Sequence, residues 1–167
     1  DQRMAELQGS KDAINTNISG QECLTLAYPF CAAGDDAQTE SVFISARVCS
    51  VGSIQIESKT PANIMQVNAI NCGSEGPVIT NVDFTNKVNK ALEVDKTYSN
   101  GWVVFMLHGV DAAGGYSPVD SAELDAHLNY MSQNKEKFWV ATYVEVVKYI
   151  KERDNVSLVE LSNSSNE

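Results

Sequence analysis

Apolar residues recur at helical spacing along four stretches of the chain, and in one place they run without a break. Met4, Leu7, Ile14 and Ile18 predict an amphipathic helix over residues 2–16, ended near Ser19-Gly20. Cys23-Leu24-Thr25-Leu26-Ala27-Tyr28 reads as a short buried strand, stopped by Pro29. Residues 31–41 are small and polar, the composition of a surface loop. Val42-Phe43-Ile44-Ser45-Ala46-Arg47 fits a short helix or a strand, and periodicity does not separate the two. Residues 50–80 scatter Gly, Ser, Pro and Asn among short apolar pairs and predict irregular structure. Val82, Phe84, Val88 and Leu92 predict a further helix.

The unbroken run is Gly101-Trp102-Val103-Val104-Phe105-Met106-Leu107, followed by His108. A run of this kind predicts a strand buried on both faces, as in a parallel sheet covered by helices. His108 then falls just past the strand's C-terminal end, where α/β sheets and barrels place their chemistry. A core histidine tied to a backbone carbonyl is the alternative that position alone leaves open. Asp111 to Pro118 reads as a Gly/Ser/Pro loop. Asp120 with Glu123 predicts a capping box, with Leu124, Leu128 and Met131 on one helical face. Phe138-Trp139-Val140-Ala141 reads as a strand, and Thr142 with Glu145 as a second cap, opening a helix to about Glu152. Val156 to Leu161 is a final predicted strand and 162–167 a flexible polar tail. Alternation of strands and helices predicts one α/β domain over residues 1–161, with parallel strands.

Composition narrows the function classes. The 167 residues are 43% hydrophobic and 20% charged, as in a folded domain, and carry a formal charge of −10. That charge, with no Lys/Arg cluster to override it, argues against nucleic-acid binding. No apolar segment reaches the length of a membrane span, and the opening Asp1-Gln2-Arg3-Met4 is too polar for a leader peptide. Cys23, Cys31, Cys49 and Cys72 match no zinc spacing. They allow two disulfides in three pairings; at least one disulfide and an oxidising compartment are expected, with free buried thiols as the alternative. Asn17-Ile18-Ser19, Asn155-Val156-Ser157 and Asn163-Ser164-Ser165 are glycosylation sequons of low specificity.

Several segments taken together resemble the C-terminal part of the polysaccharide deacetylases, the NodB-homology group or carbohydrate esterase family four. They are the run Gly101–Val110, Gly115-Tyr116-Ser117-Pro118, the helix to Met131, and Phe138 to Ile150. Upstream, Leu26-Ala27-Tyr28-Pro29-Phe30 resembles a variant of the family's Arg-x-Pro-Tyr segment, and Ser45-Ala46-Arg47 the arginine that follows it. The resemblance implies a distorted (β/α) barrel, of which this chain is the C-terminal part. It also implies a metal-dependent hydrolase, secreted or periplasmic, that removes acetyl groups from N-acetylglucosamine polymers or xylan.

In that family a Leu-His pair supplies the general acid, which implies the role for His108 beside Leu107. An imidazole suits it, because its proton is tunable near neutral pH. The backbone N–H after the motif proline holds the oxyanion, which implies Phe30 after Pro29, flanked by Tyr28. Arg47 is the candidate to replace the motif arginine, whose position is taken by Leu26 or Ala27, and Cys31 stands where a glycine commonly follows. Trp102 and the aromatics Phe138 and Trp139 are candidates to stack on a sugar, with core packing as the alternative. Asp111 can tune His108 or serve as a turn residue. His127, between Leu124 and Leu128, is read as a surface or packing residue.

The departures are as informative. Neither the family's Thr-Phe-Asp-Asp motif nor its His-x-x-x-His motif occurs in the chain. The divalent metal (zinc, cobalt or similar) and the catalytic base of the complete domain are therefore expected from a missing N-terminal half or a second chain. Half a barrel leaves sheet edges open, so self-association or a partner is expected besides the polysaccharide substrate. The alternatives are a non-catalytic carbohydrate-binding module and a structural α/β module.

Overall fold

Residues 2–49 and 55–157 are described by the computed structural model, and their strands pair in parallel. Strands β1 (Thr25–Ala27), β2 (Ser45–Cys49), β3 (Val67–Asn71) and β4 (Phe105–Met106) form one sheet in the order β1-β2-β3-β4. It curls into half of a barrel, with helices alternating along the chain. Helix α1 (Gln2–Asn17) precedes β1, α2 (Asp36–Glu40) lies between β1 and β2, and α3 (Asn81–Lys90) between β3 and β4. After β4, a two-stranded parallel pair, β5 (Gly109–Val110) and β6 (Pro118–Val119), leads into α4 (Ser121–Gln133) and α5 (Tyr143–Asn155). The predicted α/β class with parallel strands is the one observed. No helix of the described residues is long and apolar enough to cross a membrane.

Register assigns the two faces of the sheet. Residues paired across parallel strands share a face, and neighbours along a strand alternate. Ala46 and Val48 therefore point one way, with Leu26 and the ring of Tyr28 packed on them. On the same side, Ile70 joins Cys72, Val78, Phe84 and Val119 in the main core, backed by Val103, Phe105 and Leu124. Helices α3 and α4 cover this outer side, and Tyr130 Oη on α4 donates to Asn89 Oδ1 on α3 at 2.6 Å. Ser45, Arg47, Cys49 and Met106 occupy the other, inner face.

Several local expectations change. The Phe138–Ala141 strand is absent: the segment is extended but unpaired among the described residues, with Trp139 and Val140 60% and 70% exposed. The apolar run before His108 forms a ladder only at Phe105–Met106, at the sheet edge, so it is half-buried rather than enclosed on both faces. Trp102 makes an isolated antiparallel bridge to Glu57. A Cβ at Gly101 would run into the carbonyl oxygens of Glu57 and Tyr98, so glycine is required for that close approach. The irregular stretch 50–80 contains β3, whose apolar pattern is broken by Asn68 and Asn71. The loop 31–41 contains α2, capped by Asp35. Val42 to Arg47 resolves as entry into strand β2.

Helix α1 forms as expected, but its half-buried stripe is Met4, Leu7, Lys11 and Asn15. Ile14 lies on the flank of that stripe and Ile18 past the helix end, and both are exposed. The capping box at Thr142/Glu145 is present, as is one at Thr80/Asp83 that opens α3. At Asp120 only half of a box forms. Glu123 leaves its own cap and accepts Asn81 N–H at 2.6 Å, tying α4 to the start of α3. The last predicted strand lies outside the described residues apart from Val156 and Ser157, which are unpaired coil, and the 162–167 tail lies wholly outside them.

Cys31 and Cys49 are disulfide-bonded, with 5.0 Å between their Cα atoms, and Cys23 and Cys72 are free. The bridge joins the turn after β1 to the end of β2 across 18 residues of sequence. Closing a loop of that length in the unfolded chain should contribute about 3 kcal/mol. Cys31→Ser is expected to lower unfolding free energy by that amount in urea titrations, with Cys23→Ser near neutral. Equal effects from the two substitutions would remove the bridge from this role.

Candidate functional site

Parallel strands bring their C-terminal ends to one side of a sheet, and Tyr28-Pro29-Phe30 and Leu107-His108 fall on that side of the two edge strands, whereas Arg47 lies within β2 and Trp102 before β4. After β1, Tyr28 leads into a single 3-10 turn, Pro29–Cys31. Phe30 and Cys31 both adopt positive φ there, 52° and 59°. The ring of Phe30 is fully exposed, and the disulfide anchors the turn to β2. Tyr28 itself turns inward. It is 6% exposed, and its hydroxyl donates to Thr39 Oγ1 at 3.0 Å, while Thr39 in turn donates to the Asp35 carbonyl. Its side chain thus holds α2 to the sheet, while Pro29 and Phe30 in the turn are exposed.

After β4, Leu107 is partly exposed and His108 exposed, in the bend between β4 and β5. The His108 ring meets Tyr116 edge-on at 4.8 Å between centroids. Asp111 does not serve His108. It sits at φ 51°, and its carboxylate accepts Ser121 N–H at 2.9 Å at the start of α4. The Ser121 hydroxyl and N–H hold its carboxyl below the usual range, so Asp111 is the turn residue of the two alternatives.

The inner face carries a second group. Arg47 is half-buried, with Nη1 2.9 Å from Met106 Sδ, which draws β2 toward β4 across β3. Burial lowers its pKa and the neighbouring Tyr143 opposes that, but a guanidinium remains charged. Tyr143, the first residue of α5, reaches back to Ser45 at 2.7 Å between hydroxyls. Ser45 donates its proton to the Ile64 carbonyl at 2.7 Å, so Tyr143 is the donor of the pair. Burial pushes the Tyr143 phenol up to about 12, against the lowering effects of Ser45 and Arg47, so it stays protonated. The rings of Trp102 and Tyr143 meet at 4.9 Å between centroids, with their planes tilted by 38°. The structure thus joins Arg47 and Trp102 through Tyr143, while His108 pairs with Tyr116.

Tyr143 and Ser45 were not singled out from sequence. For Ser45 the signal was available, because Ser45, Arg47 and Cys49 alternate with Ile44, Ala46 and Val48 at strand period. Tyr143 gives no local signal, since Ser45 lies 98 residues upstream and Trp102 about 40.

His127 packs, as its helical position suggests. It is 4% exposed, stacked on Phe84 at 5.1 Å and edge-on to Phe105 at 5.7 Å. Burial lowers its pKa, because the imidazolium loses water among these rings. The unfolded chain therefore binds the proton first. The stability contributed by neutral His127 is complete above about pH 6.5 and is lost as pH falls from there through the folded value. His127→Phe should flatten that limb of stability against pH, measured by urea midpoints between about pH 8 and about pH 5. Parallel curves for the two proteins would rule the residue out.

A cleft of about 570 Å³ opens along the outer edge of β4, between α4, α5 and the extended Phe138–Ala141 segment. Trp102 and Leu107 line it, as do Trp139, Tyr143 and Tyr149. No group of three or more His, Cys, Asp or Glu side chains comes together among the described residues.

A gellan lyase from a Bacillus species is 28% identical to this chain over 93% of its length. The chain spans only 7% of that relative. No protein-family profile and no solved structure matches it.

Proposed function

We propose that this chain is the C-terminal part of a polysaccharide deacetylase barrel within a larger carbohydrate-active protein. The observation that carries the reading is the parallel half-barrel with Tyr28-Pro29-Phe30 and Leu107-His108 directly past the C-terminal ends of its edge strands. Barrel enzymes draw catalytic groups from the ends of several strands in this way. The substrate is an N-acetylglucosamine polymer or acetylated xylan. Water adds to the acetyl carbon, the bond to the sugar nitrogen or oxygen breaks, and His108 delivers a proton to the departing amine or alkoxide. Phe30 N–H offers a donor to the oxyanion, and Arg47 with Trp102 contacts the sugar. The base and the ligands of a zinc- or cobalt-like metal come from outside this chain. The disulfide and a relative named for a polysaccharide support an extracellular or periplasmic setting.

The test is acetate release from an acetylated chito-oligosaccharide with added zinc or cobalt. The chain is assayed alone and with an N-terminal deacetylase half supplied in trans. Activity only with the complement, abolished by His108→Ala, supports the proposal. Sugar binding without acetate release in either assay favours a non-catalytic carbohydrate-binding module, a reading to which the aromatic cleft lends weight. Neither activity nor binding leaves a structural module. The edges of β1 and β4, unpaired among the described residues, also predict self-association; a monomer in light scattering at high concentration would count against that part.

A further inference from the structure

We propose that the cleft beside β4 binds a glycan chain bearing carboxylates, a uronate-containing oligosaccharide, at a site separate from His108. Both tryptophans of the chain, Trp102 and Trp139, line it. The charged side chains of its described lining are Lys59, Lys137 and Arg153, with no aspartate or glutamate among them. On a chain with 22 acidic and 12 basic residues this sorting runs against the average surface. Screening limits exposed charges to about 8 Å at physiological salt, so a ligand in the cleft responds to the cleft's own cations rather than to the distant net charge.

The rim is ordered. Arg153 lies over the Tyr149 ring at 5.6 Å, and Tyr149 meets Trp139 edge-on at 5.2 Å. Nη2 of Arg153 donates to the Lys59 carbonyl at 2.9 Å and to Thr60 Oγ1 at 2.7 Å, bringing the Lys59 loop to the end of α5. Asp154 takes the Nε–H at 2.7 Å and fixes the guanidinium, while Lys59 and Arg153 together outweigh its single charge. Lys137 is tethered by Asn134 at 2.8 Å and has Glu136 at 3.9 Å, so it is the weaker contributor. Trp139 is 60% exposed and offers its indole to a pyranose ring, beside cations suited to a carboxylate. The volume lies within the range of about 300–1,000 Å³ that encloses a small ligand. A purely apolar occupant would draw nothing from the positive charge of this rim. A second copy would bring its own excess of negative charge along with its apolar surface.

The cleft wall shares Trp102 and Leu107 with the deacetylase reading but does not include His108, so binding here can be tested apart from catalysis. The experiment titrates the full chain with hexagalacturonate and with neutral cellohexaose, followed by calorimetry and tryptophan fluorescence. Saturable hexagalacturonate binding that weakens with salt is expected, together with weaker cellohexaose binding. Trp139→Ala should weaken it about tenfold. Lys59→Gln, an exposed change that leaves the packing intact, should erase most of the preference for the acidic glycan. His108→Ala should leave binding unchanged, which separates this site from the catalytic proposal. Absence of saturable hexagalacturonate binding overturns the inference, as does binding indifferent to both Trp139→Ala and Lys59→Gln. A wild-type dimer that Trp139→Ala converts to monomer also overturns it, because the cleft is then filled by a second copy.

Discussion

Phe84→Ala is expected to destabilise the fold by about 3–5 kcal/mol, the range for deleting a large aromatic side chain from a packed core. Phe84 is 1% exposed on the buried face of α3 and sits in the cluster of Ile70, Cys72, Val78 and Val119. Its ring meets Phe105 edge-on at 4.9 Å and stacks on His127 at 5.1 Å, so one side chain joins α3 to β4 and α4. Alanine there removes the ring and leaves two aromatic partners facing a void. Because Phe84 also contributes to the floor of the cleft, part of that void opens to water, which favours the lower half of the range. Phe84→Leu should recover most of the loss. In a chain of this size each kcal/mol moves the melting temperature by about 2–4 °C, so a fall of about 10 °C is the expected result. A loss below about 1 kcal/mol would mean that α3 does not pack on the sheet in this way.

The same core explains which parts of the fold the sequence discloses. Helices α3, α4 and α5 are legible because their spacing repeats within a few residues, and the Thr142/Glu145 cap is written within four consecutive positions. Strand β3 is not legible, because Asn68 and Asn71 interrupt the apolar pattern that marks a buried strand. Its pairing with both β2 and β4 is a tertiary fact, fixed by neighbours 20 to 35 residues away in sequence. The opposite misreading occurs at Phe138–Ala141. That segment has strand composition but finds no backbone partner among the described residues, and its exposed side chains line a cleft instead. Apolar composition there accompanies a cleft wall, not a ladder. At Asp120/Glu123 the local motif is correct in residue type, yet Glu123 is diverted by Asn81 of a neighbouring helix. Candidate site residues follow the same division. The placement of His108 past β4 is readable from the strand before it, whereas the link from Arg47 through Tyr143 to Trp102 needs the folded chain.

If His108 donates the proton to the leaving group, its removal should cost about 10²–10⁴-fold in kcat on an acetylated amino sugar, measured with the N-terminal half present. KM should change little, because a group that acts mainly in the transition state contributes little to ground-state binding. Folding is not the cause of such a loss: His108 is exposed, and its one ring contact is the edge-on approach of Tyr116. The sharper measurement varies the leaving group. An amine or sugar alkoxide is a poor leaving group and needs the proton, whereas p-nitrophenolate departs without one. His108→Ala should therefore be severely impaired on the chito-oligosaccharide and nearly normal on p-nitrophenyl acetate. A residue that merely shapes the bend between β4 and β5 would depress both reactions together. Tyr116→Ala provides the comparison, since it removes the ring that positions the imidazole and leaves the acid in place. Its cost should be smaller and should fall on the same substrate, giving a graded loss with His108 at its centre. Equal losses on both substrates for His108→Ala would assign the residue to structure and remove it from the proton-transfer step.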